Sequence, residues 1–90
     1  MTPIIEVCIK TAESTLFEGG VQSVSCLNDA GPFDILPFHE NFISLINKRI
    51  RVIKTGGEPL DFPITSRGIL RVASNKATIF LGVEVVETHK

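Results

Sequence analysis

The sequence predicts an all-β domain of two packed sheets. Apolar and polar residues alternate with period two through most of the chain. Turn signals interrupt that alternation at short intervals, the pattern of many short strands in a sandwich or barrel. Only residues 41–48 offer an alternative, one or two helical turns. Ninety residues hold a single domain spanning 1–90, with no repeat, low-complexity tract or linker.

In order along the chain, Ile5, Val7 and Ile9 fall on one side of the first run and Glu6, Cys8 and Lys10 on the other. Between Asn41 and Lys48, Phe42-Ile43-Ser44-Leu45-Ile46 fits a buried strand as well as a helix. Ile50 and Val52 then oppose Arg49 and Arg51, and Leu60, Phe62 and Ile64 oppose Asp61, Pro63 and Thr65. Pro63 has no N–H to give a ladder, so its strand is an edge or that side of it faces outward. From Lys76 to Glu87, Ala77, Ile79, Leu81, Val83 and Val85 line up against Thr78, Phe80, Gly82 and Glu84. That is long for one flat strand, and Gly82 is the expected bend or bulge. Turns are expected at Glu18-Gly19-Gly20, Asn28-Asp29-Ala30-Gly31, Thr55-Gly56-Gly57-Glu58 and Ser74-Asn75-Lys76.

Composition narrows the function. A net charge of -1, with neither Trp nor Tyr, argues against a nucleic-acid binder. Lys48, Arg49, Arg51 and Lys54 read as a solvated strand face. The N-terminus has no basic residue before its apolar stretch, and Glu6 breaks that stretch, so it is a poor signal peptide. No apolar run approaches the roughly 20 residues that cross a bilayer. With two cysteines, Cys8 and Cys26, expected as free thiols, the expectation is a soluble intracellular domain without membrane insertion.

The stretch GPFDILPFHENF, residues 31–42, is the one that invites a chemical reading. His39-Glu40 begins a His-Glu-x-x-His zinc motif, but position 43 is Ile43 and Pro37 opposes a helix. Asp34, His39 and Glu40 have no further histidine nearby, because His89 is in the tail. No serine sits in a Gly-x-Ser-x-Gly elbow, and neither Gly-Gly pair precedes a helix as a phosphate loop would. No catalytic residue, cofactor or metal is expected. A domain of this kind works through its surface.

Three ordered segments share the pattern of one family. Leu16, Phe17, Gly19, Val21 and Val24 match a Leu-Phe/Tyr-x-Gly-x-Val-x-x-Val segment. Gly31, Phe33, Ile35, Leu36, Pro37 and His39 match a Gly-x-Phe-Gly-Ile-Leu-Pro-Gly-His segment, and Gly68, Ile69, Leu70 and Val72 a Gly-Gly-Ile-Leu-x-Val segment. Together they resemble the epsilon subunit of F-type ATP synthases. The resemblance implies a ten-stranded β-sandwich at the foot of the rotating central stalk, cytoplasmic and peripheral to the membrane. There it binds the gamma subunit and the c-subunit ring and couples ion-driven rotation to ATP synthesis without catalysing it. The alternative is a free-standing β-sandwich adaptor with an unrelated partner.

The resemblance also places contacts. Thr11, His39 and Ser44 would face gamma, and Asp29, Gly31, Pro32 and Asp34 would face the ring. Two departures stand out: Pro32 where many members carry an acid, and Phe38 in place of the glycine before the histidine. Asp29 or Asp34 would have to supply the missing charge. Phe38 either alters the loop or offers an apolar contact. Family members typically continue into a C-terminal helical hairpin, whereas this sequence ends at Lys90, so helix-based inhibition of hydrolysis is not expected of it.

Overall fold

A computed structural model describes residues 3–83, and every regular element among them is a strand. The strands are β1 (Ile5–Lys10), β2 (Thr15–Asn28), β3 (Gly31–Ile35), β4 (Phe42–Lys54), β5 (Pro59–Ala73) and β6 (Lys76–Val83). They join in the order β1-β6-β5-β4-β2-β3, and β1 also pairs with β2. Five strands therefore close into a ring, with β3 attached to the outside edge of β2. Closure removes most free edges, which in a small β domain are sites of aggregation. All pairings are antiparallel except β1 with β6.

Where ten short strands in two sheets were expected, six are found among the described residues, joined in one continuous sheet. Three of them run 13 to 15 residues because they bend at irregularities instead of stopping. In β2 the pairing with β4 skips Gln22. In β4 it skips Lys48, whose left-handed backbone (φ 68°) turns it outward from the inward side that alternation alone would assign. Gly82 is the extra residue where β6 slips against β5, so it is a bulge within one strand. Glu84, Val85 and Glu87 lie outside the described residues.

The Glu18-Gly19-Gly20 turn is also corrected. These residues lie inside β2, where a Cβ on Gly20 would come within 2.7 Å of Ile4 Cδ1, so the glycine serves close packing. The open choice at residues 41–48 is settled as strand. Pro63 pairs with Arg49, and the described pairings of β6 reach only Arg67–Ala73 of β5, so Pro63 sits in the half of β5 with one partner. The other three expected turns are present.

Inside the ring the alternation holds. Ile5, Val7, Ile9, Ile50, Val52, Ala77 and Ile79 are buried, while Arg49, Asp61, Pro63 and Thr65 are exposed. Cys8, on the polar side of β1, is buried as well. Gly68 fits between Leu81 and Ile46, where a Cβ would meet their side chains at 2.9 and 3.1 Å. Each fully buried Val or Ile contributes roughly 1.5–3 kcal/mol relative to exposure. No buried residue among those described is polar or charged, which puts the functional groups on the surface.

Candidate functional site

GPFDILPFHENF forms β3, a loop and the start of β4. The chain reverses at Leu36–His39, where the His39 N–H donates to the Leu36 carbonyl oxygen at 3.1 Å. Pro37 takes the second position of that turn, which suits its fixed φ. Phe38 takes the third with φ 64°, a position that a type II turn normally gives to glycine. A non-glycine residue held there costs on the order of 1–3 kcal/mol. Phe38 therefore keeps the turn and projects its side chain outward, the residue being 76% exposed.

One side chain holds the loop in place. Asn75 Oδ1 accepts from the Phe38 N–H at 2.8 Å, and Asn75 Nδ2 donates to the Ile4 carbonyl oxygen at 3.0 Å. The Asn75 carbonyl accepts from the Glu6 N–H at 3.3 Å. Asn75 itself lies with Ser74 in a two-residue hairpin turn in which both have positive φ. The β5–β6 turn thus fastens the loop to the start of β1.

His39 is half-buried beside this turn. Its Nδ1 lies 2.8 Å from the Glu40 carbonyl oxygen, which can only accept, so Nδ1 carries the proton and Nε2 is the acceptor of the neutral ring. The ring packs edge-on against Phe42 (5.8 Å between centroids), and Phe42 in turn against Phe33 at 5.7 Å. Its orientation is fixed from two sides.

The β2–β3 hairpin supplies the remaining groups. Asn28 Oδ1 accepts from the Ala30 N–H at 2.9 Å, an Asx turn that exposes Asp29. Asp29 accepts from Asn47 Nδ2 at 3.2 Å, and Asp34 from Ser25 Oγ at 2.6 Å. Ser44 Oγ accepts from Asn28 Nδ2 at 3.3 Å and donates to the Leu45 carbonyl at 2.9 Å.

Two shallow grooves bring these residues together. One, of about 300 Å³, gathers Asp29, Ser44 and Asn47 with Arg67; the other, of about 290 Å³, gathers Gly31, Pro32, Asp34 and His39. His39 and Ser44, expected to face one partner, are therefore neighbours of the residues expected to face the other. Thr11 is not among them. It lies at the far end of β1, seven residues from the Ile4 carbonyl that Asn75 holds, or roughly 20 Å of strand. Its hydroxyl accepts from the Glu13 and Ser14 N–H groups at 3.2 and 3.1 Å and shapes the β1–β2 turn. Asn28, Asn47 and Asn75 were not legible as site residues, because their side-chain bonds join positions far apart in sequence, and Arg67 reaches the groove only through the pairing of β5 with β4.

What the site offers is shape, exposed carboxylates and an oriented imidazole. Burial, with a smaller contribution from Asp34, pushes the Cys26 thiol up to about 12, so it stays protonated and is a poor nucleophile at neutral pH. Among the described residues no three His, Cys, Asp or Glu side chains gather as metal ligands.

Comparison with known proteins matches residues 4–85 to the family described as ATP synthase, Delta/Epsilon chain, beta-sandwich domain. An ATP synthase epsilon chain from a Nitratiruptor species is 30% identical over 70 residues, covering 78% of this chain and 54% of that one. Among solved structures, a chain of the Euglena gracilis mitochondrial ATP synthase (OSCP/F1/c-ring) superposes with a TM-score of 0.79 at 18% identity, over 90% of this chain and 51% of its own. A chain of the Tetrahymena thermophila mitochondrial ATP synthase central stalk and c-ring gives 0.67 at 14% identity, over 84% and 61%. At these identities the superpositions speak for the fold. The chain spans about half the length of the relatives it matches.

Proposed function

The chain belongs to the ATP synthase delta/epsilon β-sandwich family, and from that premise we propose that it is a non-catalytic, epsilon-like subunit of a rotary ATP synthase. The match over residues 4–85 carries this reading. The subunit sits in the central stalk on the cytoplasmic face of the membrane, bound to gamma and to the c ring, and helps to couple ion-driven rotation to ATP synthesis. In this reading the two sheets of the family sandwich are the two halves of the ring. The long strands, broken at their bulges, count once in each, which raises the tally toward ten.

The surface supports a division of contacts along β3. The hairpin with Asp29, Gly31, Pro32 and Asp34 meets the ring, and its two carboxylates replace the charge lost at Pro32 by favouring basic ring loops. His39 and Ser44 face gamma. Thr11, at the opposite end of β1, joins them only if gamma lies along the length of the sandwich. A packed β domain is stiff, which suits a part that transmits torque.

Co-purification with gamma and with the isolated c ring of the same enzyme tests the reading. Retention by both is the expected outcome. A folded protein retained by neither would end the stalk assignment and leave the adaptor alternative.

A further inference from the structure

We propose that Phe38 is an aromatic anchor that seats in an apolar socket on gamma, rimmed by basic side chains. This rests on the stalk reading and adds to it a contact that His39 and Ser44 do not supply. Phe38 holds a left-handed backbone that favours glycine, yet the residue is 76% exposed, so burial among the described residues does not offset the strain. A strained, presented side chain marks a recognition site when its surroundings hold it in place.

Here they do. The Leu36–His39 turn bond closes the loop, and Asn75 grips the Phe38 N–H at 2.8 Å. The ring thus meets a partner already positioned, which lowers the ordering cost of binding. Leu36, 55% exposed, extends the apolar tip.

Position and charge identify the occupant. Phe38 follows the end of β3 opposite the hairpin tip, and five residues of strand put roughly 17 Å between those ends. If the tip meets the ring, Phe38 points away from it, toward gamma, directly beside His39. Residues 29–42 carry Asp29, Asp34 and Glu40 and no Lys or Arg, so the complementary rim is basic. A large aromatic seated in a pocket is the type of residue that dominates interface energetics.

The test is titration of gamma, from the same enzyme, with the full chain and with Phe38→Gly, alongside thermal melting of both. Glycine suits the turn, so the variant should melt at the same temperature or higher. Its affinity for gamma should fall about tenfold or more, while retention by the c ring stays as in the parent. Equal affinity for gamma overturns the anchor, and so does a drop of several degrees in melting temperature, which would assign the ring a role inside the fold. A dimer of the parent that Phe38→Gly abolishes would transfer the contact to a second copy and also overturn it. If the parent itself does not bind gamma, the stalk reading fails first, whatever Phe38 does.

Discussion

The two outer faces of the ring are made largely by the same strands yet treat water in opposite ways. On one, Asp34, Ser25, Arg51 and Asp61 form a row across β3, β2, β4 and β5, each opposite the next in register. Ser25 donates to Asp34, and the Arg51 guanidinium binds Asp61 through Nε at 2.7 Å and Nη2 at 3.0 Å. On the other, Leu45, Ile69, Phe80 and Lys10 form a row across β4, β5, β6 and β1. There Ile43 is 69% exposed, and charge comes from Arg71, opposite Ile43 in register, and from Lys10, with Nζ 4.9 Å from the centre of the Phe80 ring. In β4 the change falls at the Lys48 bulge, with Leu45 before it and Arg51 after. One face carries a row of polar groups paired within the chain, whereas the other leaves apolar surface facing solvent, and the bulge lets one strand do both.

The strongest way to break this comparison is to test whether the apolar face is outside at all. Leu45 and Ile46 are adjacent and chemically alike, but Leu45 is 43% and Ile46 1% exposed. Ile46→Ala should cost about 2–5 kcal/mol by leaving a cavity, and Leu45→Ala no more than about 1 kcal/mol. Chemical denaturation of the two variants measures both. Equal costs would mean that Leu45 is packed and that the face is part of a core.

A second test sharpens the contrast from beneath the polar face, where Cys26 is buried in β2. Its thiol is raised from an ordinary 9.0 to about 12, chiefly by burial. The folded protein therefore keeps a proton that the unfolded chain gives up. Below pH 9 this contribution to stability is fully present, and it is lost progressively as pH rises from 9 to 12. Melting temperature should fall across that window, and Cys26→Ala should flatten the fall. The sequence has no Tyr, so no phenol titrates alongside. An unchanged slope in the variant would show that the thiol is not desolvated.

How much of this was legible in the sequence depends on the reach of each interaction. Alternation is local, so the inward sides of β1, β4 and β6 at Ile5, Ile50 and Ile79 could be read directly. Strand length is not local. The Gly19-Gly20 pair looked like a turn because the reason for glycine at position 20, the side chain of Ile4, lies far off in sequence, just ahead of β1. Lys48 breaks the alternation for the same kind of reason, at a slip against β5. At the site, Phe38 was visible as a departure, but the left-handed backbone by which it keeps the turn was not. Asn75, which holds that backbone from 37 residues away, could be read only as a turn residue.

The smallest expected effect concerns the polar row itself. Arg51 and Asp61 form a two-pronged ion pair, and the Arg51 hydrogen bond holds the Asp61 carboxyl below its usual value. The sign is that of a depressed carboxylate, so any stability it contributes is present at neutral pH and lost as acid protonates it. Both side chains are more than two-fifths exposed, however, and a pair in that setting gains little over its hydrated state. Asp61→Asn should therefore leave the melting temperature nearly unchanged at pH 7, with the small difference shrinking further in high salt or in acid. A large loss would make the row a structural clamp and the two faces equal contributors to stability. A negligible one leaves the polar row a different role: its charges and Pro63 keep the half of β5 with a single partner wettable, so that it does not pair with another chain.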